Sequence, residues 1–298
     1  VEMSNALCTV GGDVFLNKAV LTFSGGAITG RPSIDCGGNM ILTNGSAMYV
    51  FSATTNAPQV DFWGTLVDVA QDMRIHASSV LYLYSHPTNG ASPFLHMNNL
   101  TVASAGTISA DSGGYIGKSQ AIGWGPGGGS GSHLAAGGYG GKGGGSAGTP
   151  GVVYGSSNAP TAPGSAGGAH TSAGYPGGAG GGLVRVQADG IVTLSGTITA
   201  DGAPTGPASS SGGGSGGGVY IRCHTFAGTG GVIRARGGGG SYAGGGGGRI
   251  AVWRVKDLSS GVTTDVTNGY VASDTIIPDP GTIVWGLLTP QGMLIIVR

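Results

Sequence analysis

The chain has 298 residues, 66 of them glycine, with 9% charged side chains and a formal net charge of zero. With no basic stretch to meet phosphates, nucleic acid is excluded as an expected partner. Helix formers are scarce throughout, which excludes a helical protein, and no 18-residue apolar run exists to form a transmembrane helix. What remains is Val, Ile, Leu and Ala in short runs beside Thr and Ser, the composition of strands.

Residues 1–111 read as a succession of short strands, at Val14–Thr22, Met40–Thr43, Ala47–Ser52, Thr65–Ala70, Met73–His76, Val80–Tyr84 and Leu95–Ala103. Turn signals separate them: Gly25-Gly26, Gly37-Gly38, Asn44-Gly45 and Asn89-Gly90. Cys8 and Cys36 lie in this section and are a disulfide candidate, with free buried thiols as the competing reading; Cys223 is then left as a buried thiol. Low lysine, abundant Ser, Thr, Gly and Asn, and few cysteines suit an extracellular or cell-surface protein.

The field from Ser112 to Gly182 is where glycine concentrates. In 137–145, glycine pairs recur every three residues, with Tyr139 and Lys142 in the third slot. Three residues per turn is the polyproline-II period, a helix with no internal hydrogen bonds whose N–H and C=O groups point outward. The expectation is a bundle of polyglycine-II segments that bond one another. Irregular ordered loops braced by their neighbours are the alternative, because Pro126, Pro150, Pro160, Pro163 and Pro176 break the period.

An internal repeat organises the middle of the chain. Leu100–Asp111 and Ile191–Asp201 both end in Gly-Thr-Ile-(Ser/Thr)-Ala-Asp, and Phe226–Arg236 is a looser copy. A second strand type begins each later unit: Leu183-Val-Arg-Val, Val219-Tyr-Ile-Arg and Arg249-Ile-Ala-Val-Trp. Glycine runs follow Asp111, Asp201 and Arg236, at 112–182, 202–218 and 237–248. A constant core with variable insertions at one corner is the pattern of a solenoid. The fold class expected is all-β, a parallel β-helix or β-solenoid with glycine-rich insertions on one face. Residues 1–111 form its N-terminal part, 112–256 the coils with insertions, and 257–298 an apolar C-terminal section. Ile108, Ile198 and Ile233 should form one inward ladder, with Leu183, Val219 and Ile250 or their neighbours on another face. Arg185, Arg222, Arg234 and Arg254 alternate with apolar residues and should point outward.

Glycine thins out after Asp257, leaving apolar stretches around Thr289-Pro-Gln-Gly. Trp285, Leu287, Leu288, Met293, Leu294, Ile295, Ile296 and Val297 are candidates for an assembly element. An apolar terminal strand needs covering, either by a hairpin within the subunit or by addition to a neighbour's sheet.

No catalytic motif is present. Gly-x-Gly-x-x-Gly matches arise by composition and precede no helix. Asp61, Asp68, Asp72, Asp111, Asp189 and Asp201 are scattered singly, although 68, 72, 74 and 76 can project to one side. His86, His96, His133 and His170 are dispersed and read as polar surface or loop residues, so no metal and no cofactor is expected. Asp274 and Asp279 read as a turn. Trp124, Tyr139, Tyr154, Tyr175 and Tyr242 stud the glycine runs. They are candidates for stacking on sugars, with plugging the space between glycine field and solenoid as the competing role.

The repeated Gly-Gly-(Leu/Val)-x-(Val/Ile)-x…Gly-Thr-Ile-(Thr/Ser)-Ala-Asp units, closed by the glycines before Arg249-Ile-Ala-Val-Trp253, resemble glycine-rich repetitive surface proteins of environmental bacteria over about residues 100–254. More distantly, the glycine field resembles the polyglycine-II bundles of phage tail-fibre tip adhesins and the glycine-rich domain of one receptor tyrosine kinase group. The resemblance implies a secreted β-solenoid with a structural or adhesive role, and supplies no catalytic residue. The leading expectation is a non-enzymatic extracellular subunit that polymerises with itself head to tail. An adhesin or carbohydrate-binding module on surface glycans is second, and a polysaccharide-degrading β-helix enzyme third.

Overall fold

The structure, a computed structural model, describes all residues except 5–6, 25–31, 54–63, 119–121, 131–134, 147, 170–174, 206–210, 241, 271–274 and 290–298. Among the described residues there is no helix. The chain winds into a parallel β-solenoid of about seven turns. A turn consists of a long-sheet strand, a tight corner, a short-sheet strand and a return leg.

β1 (Glu2–Ser4) lies one layer beneath, paired with β4, and the first turn carries β2 (Leu7–Val10), β3 (Val14–Asn17) and β4 (Val20–Ser24). β5 (Ser33–Cys36), β6 (Met40–Thr43) and β7 (Ala47–Phe51) make the second; β8 (Thr65–Ile75) and β9 (Val80–Tyr84) the third. The fourth has β10 (Pro93–Val102) and β11 (Thr107–Ser109), and the fifth β12 (Leu183–Leu194) and β13 (Thr197–Thr199). β14 (Gly218–Thr229) with β15 (Val232–Arg234) and β16 (Arg249–Ser260) with β17 (Thr263–Asp265) complete the sixth and seventh. β18 (Thr282–Leu287) starts a further layer on β16. The two predicted strands at 65–70 and 73–76 are one, β8, with a register irregularity at its middle.

Parallel pairing keeps each column of side chains in register from turn to turn. Leu21, Met48, Leu81, Ile108, Ile198 and Ile233 are consecutive partners, so the expected isoleucine ladder is present. The three isoleucines are 0% exposed, each adding roughly 1.5–3 kcal/mol of burial. On the facing sheet the aligned trio is Val184, Val219 and Ile250; Leu183 pairs with Gly218, one residue out of the expected register.

The repeat motif follows from this geometry. Its Gly sits at the corner, its Ile and Ala face the core, and its Asp replaces a backbone acceptor. Asp111 Oδ1 accepts from the Asp201 N–H at 2.7 Å, and Asp201 Oδ1 from the Arg236 N–H at 2.8 Å. The looser third copy is complementary: Arg234 and Arg236, flanking Ala235, both pair with Asp201. The corner of the motif's Gly, between long-sheet and short-sheet strands, needs left-handed backbone in most turns, supplied by Lys18, Asn44, Ser78 and Ala105 and then by Gly230 and Gly261.

Cys8 and Cys36 are not bridged. Cys8 is in register with Ile34, and Cys36 with Val10. Two residues of offset along a strand plus one inter-strand spacing put their Cα atoms about 8 Å apart, beyond disulfide reach. Cys36 Sγ instead donates to the Gly12 and Asn39 carbonyls, and burial pushes the Cys223 thiol up to about 12.

The core columns change at the last turns. Cys223 is followed by Arg254, Phe226 by Asp257, and Ile233 by Thr264. Arg254 therefore does not point outward. It lies nearly buried over the end of the core, 2.9 Å from Asp257 and over the Trp285 ring. Burial alone would raise the Asp257 carboxyl, but hydrogen bonds from Ser259 and Arg254 outweigh it and hold it below the ordinary range. By contrast, at the other end Met3, Cys8, Val14 and Leu16 are only partly buried against the core.

The return legs of the fourth to seventh turns form the glycine field. Their backbones bond laterally: Gly137 N–H to Gly213, Gly213 N–H to Ala243, and Gly246 N–H back to Gly137, at 2.9–3.0 Å. All three glycine runs are thus side by side, and the seventh return leg joins them through Gly269 N–H to Gly245. Spacing is so close that a methyl on Gly214 lands on the Ala179 carbonyl oxygen, whereas one on Gly12 meets nothing within 4 Å. Gly214→Ala is therefore expected to lower unfolding free energy by at least ~2 kcal/mol in urea titrations, with Gly12→Ala within ~0.5 kcal/mol of the parent.

Candidate functional site

The outer face of the long sheet gathers the chain's chemically active side chains. Strand alternation turns Phe94 and His96 of β10, Arg185 and Gln187 of β12, and Tyr220 and Arg222 of β14 to the outside. Register then aligns Phe94, Arg185 and Tyr220 in one column, and His96, Gln187 and Arg222 in the next. His96 Nδ1 is 2.8 Å from Asp68 Oδ1 on β8, and its Nε2 is 3.6 Å from Asp189 Oδ2. Two aspartates that read as isolated in sequence thus flank one imidazole. Asp72 does not join them: it binds Asn99 and Arg74, and the Asn99 hydrogen bond, outweighing burial with help from Arg74, holds its carboxyl low.

The loop through Ala159 and Thr161 forms a wall over this face. It encloses a cavity of about 170 Å³ with Phe94, Arg185, Gln187, Tyr220 and Arg222. Arg185 lies 4.5 Å over the Phe94 ring, a cation–π contact that fixes its guanidinium. Two side chains of the last glycine unit pin the loop. Trp253 Nε1 donates to Asn158 O at 2.7 Å, and Arg249 donates to Tyr154 O at 2.9 and 3.1 Å. Arg249 is 4% exposed and also reaches the Tyr139 carbonyl and Thr282. Its charge is held by carbonyl dipoles and the Tyr139 ring.

The glycine-run aromatics divide. Tyr139 is fully buried, and Tyr154 donates its hydroxyl to Pro163 O and accepts from Ser165 Oγ. Neither offers a ring face to a sugar: both fill the seam between glycine field and solenoid. Tyr175 and Tyr242 are exposed, and Trp124 is half-buried with Lys118 Nζ 3.8 Å over its ring. Burial drives the Tyr139 and Tyr154 phenols well above their ordinary range.

An aromatic grid on the short sheet is not anticipated by the sequence reading. Tyr49 stacks on Tyr82 at 4.6 Å, and Phe51 on Tyr84 at 4.5 Å, with rings within about 10° of parallel. The signal is Tyr-Val-Phe and Tyr-Leu-Tyr at equal positions of successive turns. Packing raises the Tyr84 phenol, through burial first and then Tyr49 and Tyr82.

Among the assembly candidates, Trp285 is half-buried against Phe226, Leu288 is half-buried, and Leu287 is 69% exposed. β18 is tucked into the subunit's own sheet, but in parallel, as a new layer and not as a hairpin. Met293, Leu294, Ile295, Ile296 and Val297 lie outside the described residues, as do Asp61, His133, His170 and Asp274. Among the described residues no group of three or more His, Cys, Asp or Glu can hold a metal ion, and no helix is long and apolar enough to cross a membrane.

Arg249→Ala removes both side-chain donors to the part-buried Tyr154 carbonyl, while the Tyr139 carbonyl keeps the Tyr154 N–H. It is expected to cost about 1–3 kcal/mol and to open residues 152–161 to limited proteolysis ahead of the strands; unchanged cleavage there contradicts the pinning role. Comparison with protein-family models, with curated proteins and with solved structures gives no match to this chain.

Proposed function

We propose that this protein is an extracellular or cell-surface structural subunit that joins copies of itself head to tail into a fibre. The observation that carries the reading is the difference between its two ends. The first turn, with β1 beneath it, leaves a parallel strand edge whose inward residues Met3, Cys8, Val14 and Leu16 are only partly covered, with Leu7 and Phe15 exposed beside them. At the last turn Arg254, Asp257 and Thr264 take core columns, and β18, laid on β16, covers part of that end with Ile283 and Leu287 exposed.

Direct stacking of end on end is disfavoured, because it desolvates an ion pair against apolar atoms. An apolar strand laid on the open edge has no such cost. The sequence from Gly292 to Val297, Gly-Met-Leu-Ile-Ile-Val, has the required character. In this reading it adds to the first turn of the next copy. The contact is heterologous and does not close, so it propagates as a filament. The glycine segments, bonded laterally with few side chains between them, act as polyglycine-II rods that stiffen each subunit. Low charge removes self-repulsion along the fibre. The reading contains no catalytic step and no cofactor.

A second reading, a glycan-binding module, is favoured by one observation, the flat Tyr49, Tyr82, Phe51 and Tyr84 grid. Negative-stain microscopy separates the two. The full chain is expected to form filaments, and a chain ending at residue 289 to remain monomeric with the same melting temperature. A full chain that stays monodisperse at high concentration, or filaments that survive the truncation, overturns the fibre reading.

A further inference from the structure

Two phenols lie stacked and open to solvent on the outer face of the short sheet. Tyr49 of β7 and Tyr82 of β9 are register partners on successive turns. Their ring centroids are 4.6 Å apart, their planes are within 10° of parallel, and both side chains are half-buried. Parallel in-register pairing lays like atoms over like. The carbon beside one hydroxyl therefore stands above its counterpart at about one strand spacing, roughly 4.8 Å.

The chain's other close aromatic pairs lack this combination. Tyr139 and Tyr154 also adjoin, but their rings are 50° apart and Tyr139 is fully buried. Tyr84 stacks as closely, but on the phenyl ring of Phe51, which carries no hydroxyl. The position matters as well. All three cysteines are free, so no disulfide ties one turn to the next. The turns that Tyr49 and Tyr82 join, the second and third, lie beside the open end, where Met3, Cys8, Val14 and Leu16 are only partly buried.

We propose that Tyr49 and Tyr82 are an oxidative cross-linking site, where a haem peroxidase using hydrogen peroxide joins the two rings as dityrosine and fastens the second turn to the third. Each phenol gives up one electron and one proton and becomes a phenoxyl radical. The radicals join through the ring carbons beside their oxygens. The hydrogen on each joined carbon then moves to its own oxygen, which restores both hydroxyls. The pair loses two hydrogens in all, and one hydrogen peroxide is reduced to two waters. Holding the radicals face to face makes the coupling intramolecular and fast. Both rings belong to one chain, so the site does not rest on the fibre reading.

Peroxidase and hydrogen peroxide acting on the dilute full chain test this, with peptide mass spectrometry as the readout. Isotope-labelled and unlabelled chains are mixed beforehand, and free tyrosine in a parallel reaction confirms that the oxidant couples phenols. The expected product is a peptide pair joined through Tyr49 and Tyr82, two hydrogens lighter than its parts, with both halves from the same chain. Tyr49→Phe and Tyr82→Phe should each abolish it while keeping the fold, because the Phe51–Tyr84 pair shows that the grid accepts a phenyl ring. Tyr84→Phe should leave it in place. Unfolding the chain in urea should lower its yield by at least about tenfold, since the stack then no longer holds the rings together. Absence of that peptide pair, a pair found only between labelled and unlabelled chains, or an equal yield from the unfolded chain each overturns the proposal.

Discussion

Everything in this molecule depends on in-register parallel stacking. Each turn's N–H groups bond carbonyls of the turns on either side, so a column holds the same kind of side chain from one turn to the next. Ile108, Ile198 and Ile233 stand in line for that reason, although 90 and 35 residues separate them, by subtraction of their numbers. The same constraint carries surface chemistry. Asp68, His96, Gln187 and Arg222 are neighbours because β8, β10, β12 and β14 are.

The glycine field is the second consequence. Return legs that leave the stack at equivalent corners are delivered side by side at a spacing the solenoid dictates. At that spacing there is room for backbone and little else: at Gly167, Gly180 and Gly214 an added methyl meets a neighbour's carbonyl oxygen. Fixing glycine is entropically expensive. Lateral hydrogen bonds and the exclusion of water offset that cost only while the solenoid holds the register. The aromatic residues of the field then have a clear division of labour. Tyr139 and Tyr154 sit where the field meets the sheets, the first buried and the second half-buried; Tyr175 and Tyr242 sit at its surface.

The fold was legible because its determinants are local and repeated. The Gly-Thr-Ile-(Ser/Thr)-Ala-Asp unit encodes a corner, two core positions and a side-chain cap; two turns show it outright and a third loosely. The candidate site was far less legible. Asp68, His96 and Asp189 look unrelated until register is known, and an insertion of some 70 residues, 112–182, separates β11 from β12. Residues spaced by whole turns give no short-range signature. Arg254 was misread for the opposite reason. Alternation put it outside, but it lies in the column of Cys223, where an end turn exchanges core for charge. The cysteine pairing failed on register too, since β2 and β5 hold the two cysteines two residues out of line for a bridge.

A scaffold of this kind separates tasks. The core columns carry the stack, the return legs bond one another laterally, and outward positions hold the polar and aromatic side chains. Amide hydrogen exchange, read by mass spectrometry over residues 135–145, 175–182, 211–218 and 243–248, probes the shared premise most directly. Slow exchange there, comparable with β12 and β14, is the result expected of laterally bonded segments held in register. Exchange at the rate of an unstructured glycine chain, with the strands still protected, contradicts it.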